Sequence, residues 1–161
     1  MGFYAFPVCR SYDTIYQPGH ANYNGWQAKH NDWAELWPIP DAFFPSLYPL
    51  YSRNGSNPQD ASFLRHYLIN TIHDIRRCIK QYGRNQPIYP FIKLEAVSGS
   101  VAVETDVFDD LFRIVYQLAD GVVLWSGGGA WSTYSAKPWW ANTILPLIQA
   151  RRFPADIRKK F

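Results

Sequence analysis

The strongest constraint on the fold of this chain is a repeated pattern in which a short apolar segment is followed by a segment with helical features. The apolar segments show no polar alternation, which is typical of strands buried on both faces of a parallel sheet. The predicted strands are 2–8, 42–48, 87–94 and 121–125, and the predicted helices are 31–37, 60–81, one from residue 105 or 106, and one from Pro138. The order β-α-β-α-β-α-β-α predicts an α/β fold with a parallel sheet.

Four βα units amount to half of a (β/α)8 barrel, the TIM barrel. We expect residues 1–150 to form a half-barrel of four such units and residues 151–161 to form a basic C-terminal tail. A half-barrel has two strand edges without partners, which a second copy of the chain or a separate N-terminal half-barrel could cover. An open four-stranded sheet is the alternative that the pattern leaves open.

In parallel α/β folds the functional side chains lie where strands end and loops begin. This rule selects Tyr4 with Cys9, Tyr48 with Tyr51, Lys93 with Glu95, and Trp125 with Trp131. Glu95 is a carboxylate in this set and is therefore a candidate acid or base. Trp131 lies in the glycine-rich segment SGGGAWS, where its ring is available for stacking on a ligand. Asp120 precedes the last strand, at the opposite end, and we expect it to cap that end.

The aromatic content and the distribution of charge indicate which classes of ligand or partner to expect. Aromatic residues make up 17% of the 161 residues, and their flat faces suit both core packing and sugar stacking. The net charge is +3, with basic residues concentrated in the ending ARRFPADIRKK and in the segment IRRCIK. The basic ending lacks the interleaved aromatic residues of a nucleic-acid platform, so we expect no nucleic-acid partner.

Cysteine and histidine spacing gives no metal or cofactor signal. Cys9 and Cys78 are too far apart in sequence to indicate a metal site or a disulfide framework, and Cys78 is predicted to be a small buried residue within a helix. The four histidines show no ligand spacing, so no metal or cofactor is expected. No apolar run has the length of a membrane span and no signal peptide is recognisable, so we expect no membrane partner.

Five segments in order resemble the C-terminal half of the hyaluronidase family. They are GFYAFPVC, NYNGW, HNDWAELW, FFPSLY and DGVVLW, and the likeness extends over about residues 2–150. The resemblance implies a distorted TIM barrel that hydrolyses N-acetylhexosaminide bonds in hyaluronan or chondroitin-like polymers. It also implies a substrate-assisted mechanism, in which the acetamido oxygen of the substrate is the nucleophile. A chain that follows the family would be secreted.

The same resemblance assigns roles to individual residues. Tyr4 and Tyr48 match the two tyrosines of the family's active site, Tyr4 helping to position the acetamido group, and Trp125 matches the tryptophan that walls the site around the sugar. The family's general acid belongs to an Asp-x-Glu motif on an early strand, and no Asp-x-Glu occurs in these 161 residues. Trp26 stands where the family has the cysteine partner of Cys9.

Two hypotheses follow from the sequence. The first is a hyaluronidase-like glycoside hydrolase portion that holds the substrate-positioning half of the site, with Tyr4, Tyr48 and Glu95 as candidate catalytic residues and Trp125, Trp131 and Tyr51 as candidate substrate contacts. The general acid is then expected upstream of Tyr4, outside this sequence. The second is a non-catalytic carbohydrate-binding or assembly half-barrel, completed by a homodimer or by a partner chain.

Overall fold

Short strands and longer helices alternate along the computed structural model, which describes residues 2–4, 6, 21–48, 61–93, 95, 103–125, 138 and 140–146. The chain divides into two compact units, Met1–Trp125 and Ser126–Phe161. The elements of the first unit are β1 (Gly2–Tyr4), α1 (Ala21–Asp32), β2 (Ala42–Phe44), α2 (Ala61–Tyr82), β3 (Phe91–Lys93), α3 (Thr105–Leu118) and β4 (Val123–Trp125). In the second unit, Pro138 is helical and a π-helical turn spans Trp140–Ile144.

The two strand pairs that the structure describes in the first unit are both parallel, which confirms the predicted α/β class with a parallel sheet. β1 pairs with β2, and β3 pairs with β4 in a register that sets Lys93 opposite Trp125. Two parallel bridges, Phe43 to Ile88 and Ser46 to Phe91, connect the first pair of strands to the second. β2 and β3 are shorter than predicted, because Pro45 follows β2 and Pro90 precedes β3, and a proline lacks the N–H that ladder pairing needs.

The core lies between the strands and the helices that follow them. Phe43, Ile88 and Ile92 are fully buried, whereas Phe44, Phe91 and Tyr89, which alternate with them, are only half-buried. The rings of Phe44 and Tyr89 lie 5.8 Å apart, and those of Phe44 and Phe91 lie 6.1 Å apart. Within the described part of the chain, one face of the sheet is therefore packed by helices and the other carries a partly exposed aromatic layer.

Two of the helices, α2 and α3, form where apolar residues repeat at helical spacing and are buried along one face. α2 buries Leu68, Ile72, Ile75 and Ile79, and it ends before Gly83 as predicted. α3 begins at Thr105, as predicted, and packs on α2 through residues of its own stripe: Val107, Phe108, Leu111, Phe112, Ile114 and Val115. Burying a stripe of this kind removes apolar area from water, at about 25 cal/mol per Å².

The helix predicted over 31–37 is wrong. The structure places a helix earlier, at Ala21–Asp32, and residues 33–38 form turns. The reason is that α1 has no continuous apolar stripe: among its side chains from residue 23 onward, the buried ones are Trp26 and His30, one helical turn apart, among polar and small residues. A periodicity of hydrophobic residues therefore does not reveal it.

A buried carboxylate, Asp74 of α2, anchors α1. Its two oxygens accept hydrogen bonds from His30 Nδ1 at 2.6 Å, Gln27 Nε2 at 2.9 Å and Arg77 Nε at 2.6 Å. Arg77 also reaches Asn31 Oδ1 at 2.7 Å, so one network joins the last two turns of α1 to the middle of α2. Burial alone would raise the pKa of Asp74, but the hydrogen bonds and charges of His30 and Arg77 lower it below its usual value.

The ring of His30 is enclosed by indoles. Trp26 lies against it edge-on at 4.4 Å, and Trp33 and Trp37 lie at 5.6 and 5.9 Å. The Trp37 Nε1 atom donates to the His30 carbonyl oxygen at 2.8 Å. α1 is thus held by polar bonds inside an aromatic shell, where a low local dielectric strengthens each bond and makes the loss of a partner costly.

No helix in the described part of the chain combines the length and the apolar character that crossing a bilayer requires.

We predict that Asp74→Asn lowers the free energy of unfolding by about 3 kcal/mol near neutral pH, because it breaks a buried ion pair and leaves its partners unmatched. The folded-state pKa of Asp74 is depressed, so its contribution is present above its unfolded pKa of about 3.9 and is lost as the pH falls through the lower folded value. Urea denaturation should therefore show a difference between the two proteins that shrinks as the pH falls below about 4.

Asp110→Asn is the matched control, because Asp110 pairs with Arg65 at 3.0 Å between side chains that are 36% and 54% exposed. Surface pairs of this kind contribute about 0–1 kcal/mol. Equal losses in the two variants would show that the Asp74 network is not the anchor of α1.

Candidate functional site

The carboxyl ends of the second, third and fourth strand segments bring four of the strand-end side chains together. Lys93 ends β3, Trp125 ends β4, and the two residues are direct cross-strand partners. Tyr48 follows the segment that the Ser46 bridge joins to β3, and Glu95 follows β3 by two residues. We name Tyr48, Lys93, Glu95 and Trp125 the strand-end cluster.

The cluster has an aromatic pair with one exposed ring, and a charged pair in which Glu95 is buried and Lys93 is partly buried. The rings of Tyr48 and Trp125 are nearly parallel, 15° apart in plane and 6.1 Å apart in centroid. Lys93 Nζ lies 5.1 Å from the centroid of the Trp125 ring and 3.5 Å from Glu95 Oε2. Trp125 is 44% exposed, whereas Glu95 is only 4% exposed. An exposed aromatic ring beside charged side chains at the carboxyl ends of strands makes this cluster the candidate site.

Tyr48 is held in place by its neighbours in the chain. The Leu47 N–H donates to the Phe91 carbonyl oxygen at 2.9 Å, and Leu47 itself is 1% exposed. The hydroxyl of Tyr67, on α2, donates to the Ser46 carbonyl oxygen at 3.2 Å. These bonds fix the backbone just before Tyr48 to both β3 and α2, so the phenol is carried by rigid elements.

The opposite end of the strands is built for stability. Asp120 Oδ2 accepts a hydrogen bond from the Ile88 N–H at 2.8 Å and one from Arg76 at 2.7 Å. Asp120 thus ties the segment before β4 to the segment before β3, which confirms the capping role predicted for it. The two ends of the sheet differ as expected for parallel α/β folds, where ligands are bound at the carboxyl ends.

Of the other predicted site residues, the structure describes only the backbone of Tyr4. Tyr4 ends β1, where its backbone pairs with Phe44, and the position of its side chain lies outside what the structure describes. Tyr51, Trp131 and Cys9 also lie outside the described residues. Sequence reasoning placed Lys93 at a strand end but gave it no role, because its contact with Trp125 depends on the pairing of β3 with β4.

A second cluster, His30, Asp74 and Cys78, has the right residue types for a metal ion, with ligand atoms within 4.8 Å of one another. A cation already neutralises it, because the Arg77 guanidinium contacts Asp74 at 2.6 Å and the Cys78 sulfur at 3.2 Å. Burial raises the pKa of the Cys78 thiol to about 12, and the protonated thiol is a poor ligand. The cluster therefore serves as a buried hydrogen-bonded link between α1 and α2, and Cys78 is the small buried residue that was predicted.

Comparison with solved structures shows the fold. Bee venom hyaluronidase in complex with a hyaluronic acid tetramer superposes with a TM-score of 0.70 at 15% sequence identity, over 94% of this chain and 47% of that chain. A monoclinic crystal form of bee venom hyaluronidase gives a TM-score of 0.69 at 17% identity, over 92% of this chain and 47% of that chain. The chain thus spans about half the length of these structures, whose fold is a TIM barrel. No individually curated protein sequence matches the chain.

A sequence model of the hyaluronidase family matches residues 1–137, which is most of the 161-residue chain. The match includes β1 to β4, the bonds that fix Tyr48, and every residue of the strand-end cluster. The resemblance drawn from the five sequence segments is therefore confirmed, and the chain belongs to the hyaluronidase family of glycoside hydrolases.

Proposed function

We propose that this chain is a four-unit half of a hyaluronidase-type barrel and carries the substrate-positioning half of a site that cleaves N-acetylhexosaminide bonds. The observation that carries the proposal is the Tyr48–Trp125 ring pair at the carboxyl ends of parallel strands. Coverage of 47% of the bee venom enzyme supports the half-barrel, which we place in residues 1–150 with a basic tail at 151–161.

Each ring has a chemical role in this proposal. The phenol O–H of Tyr48 donates to the carbonyl oxygen of the substrate's acetamido group and holds that oxygen for attack on the anomeric carbon. The exposed indole of Trp125 packs against the acetamido methyl group or the sugar ring. Tyr4 adds a second donor to the acetamido group, and Tyr51 and Trp131, which follow the strands in sequence, add contacts to the polymer.

The proposed substrate is a glycosaminoglycan-like polysaccharide. The bee venom enzyme was solved with a hyaluronic acid tetramer, which is the support for this class of ligand. In the substrate-assisted scheme the acetamido oxygen replaces the enzyme nucleophile, so the protein supplies positioning and a proton donor. We assign to this chain the positioning of the substrate's acetamido group. Glu95, whose Oε2 lies 3.5 Å from Lys93 Nζ, is the chain's candidate acid or base.

We predict that the purified chain binds a hyaluronan tetrasaccharide and that both rings contribute. Isothermal titration calorimetry should show binding weakened about tenfold or more by Trp125→Ala and about three- to tenfold by Tyr48→Phe, because stacking and one hydrogen bond each contribute about 1 kcal/mol or more.

Two control variants are matched to these changes. Leu36→Ala removes an apolar side chain that is 41% exposed, close to the 44% of Trp125. Tyr89→Phe removes a phenol oxygen at the opposite end of β3. Both controls should bind as the unaltered chain does, and unchanged binding in Trp125→Ala and Tyr48→Phe would overturn the proposal.

One observation favours a second function, an assembly or carbohydrate-binding module without catalysis. The aromatic layer of Phe44, Tyr89 and Phe91 is partly exposed, and β1 and β4 each pair with a single strand within the described residues. A second copy of the chain or a partner half-barrel would cover this face and complete both strand edges.

For this second function we predict self-association, measured by light scattering on the purified chain across a hundredfold range of concentration. A mass of two chains that falls towards one chain on dilution supports completion by a homodimer, because the contact is then reversible. Phe44→Glu should shift this equilibrium towards one chain, since it places a charge in the aromatic layer. A mass of one chain at all concentrations would rule out the homodimer.

A further inference from the structure

Lys93 has an unusual environment for a lysine at the end of a short strand. Its side chain is only 18% exposed, although lysines are rarely buried unless they are paired. Its ammonium group contacts the Trp125 ring and the Glu95 carboxylate, which is itself nearly fully buried. Removing an ammonium group from water costs free energy, and the two contacts offset that cost. Without them, the lysine side chain could extend its ammonium group into solvent.

We propose that Lys93 is a positioning residue that fixes the indole of Trp125 as the sugar-facing wall of the site. The inference rests on the proposed function, because it gives the Trp125 wall a support. The parallel register sets Lys93 and Trp125 side by side, so the flexible lysine stem reaches the face of the neighbouring indole. Glu95, two residues further along, holds the ammonium group in that place through an ion pair.

The geometry distinguishes this role from a plain ion pair. A cation within about 6 Å of an indole centroid is attracted by the negative face of the ring, and Lys93 Nζ lies at 5.1 Å. With the ammonium group over the ring, the indole is held in one orientation, in which its exposed part is available to a sugar ring or a methyl group. Trp125 is 44% exposed, and its ring is contacted by the Lys93 ammonium group and by the Tyr48 ring, so loss of the cation would remove one of the contacts that hold the indole in its binding orientation.

The test compares Lys93→Met, which keeps the length of the stem and removes the charge, with Lys93→Arg, which keeps a cation. The first measurement needs no ligand: acrylamide quenching of Trp125 fluorescence, isolated by subtracting the same protein carrying Trp125→Phe. We expect the Trp125 quenching constant to rise about twofold or more in Lys93→Met and to stay near its original value in Lys93→Arg, since exposure of the ring follows the cation.

The second measurement is the dissociation constant of the hyaluronan tetrasaccharide. We expect Lys93→Met to weaken binding about tenfold, while Lys93→Arg stays within about twofold. In a Trp125→Ala background, Lys93→Met should have little further effect, because the residue it positions is gone. Lys80→Met, the same chemical change at an exposed lysine of α2, is the control and should alter neither measurement.

The outcomes separate this inference from the proposed function. Unchanged quenching and unchanged binding in Lys93→Met would overturn the role of Lys93 even if Trp125→Ala abolishes binding. Unchanged binding in Trp125→Ala would overturn the proposed function, and the quenching result would still decide whether Lys93 holds the ring. If Lys93→Met does not fold, Lys93→Gln is used in its place. A folded Lys93→Gln protein with an unchanged Trp125 quenching constant would show that Lys93 stabilises the strand and does not position the Trp125 ring, and it would also overturn the inference.

Discussion

The site of this protein depends on the parallel register of its strands. The pairing of β3 with β4 sets Lys93 beside Trp125, and the bond from the Leu47 N–H to the Phe91 carbonyl oxygen sets Tyr48 at the same end of the sheet. A shift of one residue in either pairing would turn the side chains to the opposite face and separate the two rings. The chemistry proposed for the site therefore follows from backbone hydrogen bonds that do not themselves contact a ligand.

Two kinds of contact hold the helices that support this sheet. α2 and α3 pack through apolar stripes, whereas α1 is held to α2 by the buried carboxylate of Asp74 and the side chains that donate to it. The hydrogen bonds to Asp74 are directional and fix α1 at one position along α2, which an apolar contact alone does not do. They give α1 a place in the fold although α1 has little apolar surface to bury.

The parts of the fold that could be predicted are those with a local signal. Ile72, Ile75 and Ile79 repeat at helical spacing, so the sequence indicates α2 directly, and the ordered motifs around Tyr48 and Trp125 indicate the family. α1 was placed wrongly because its buried residue His30 is stabilised by Asp74, 44 residues away in sequence. The contact of Lys93 with Trp125 could not be foreseen for a similar reason: it depends on which strands pair and in what register, and the composition of either strand does not encode this.

The central proposal is that these 161 residues position an N-acetylhexosaminide substrate and that the proton donor for its cleavage is not among them. The most direct measurement is the release of new reducing ends from hyaluronan and from chondroitin, at protein and polymer concentrations that saturate binding, with Glu95→Gln alongside. The account predicts saturable binding with no reducing ends above a control that lacks the protein. Robust cleavage that disappears in Glu95→Gln would contradict it, because the chain would then carry its own acid.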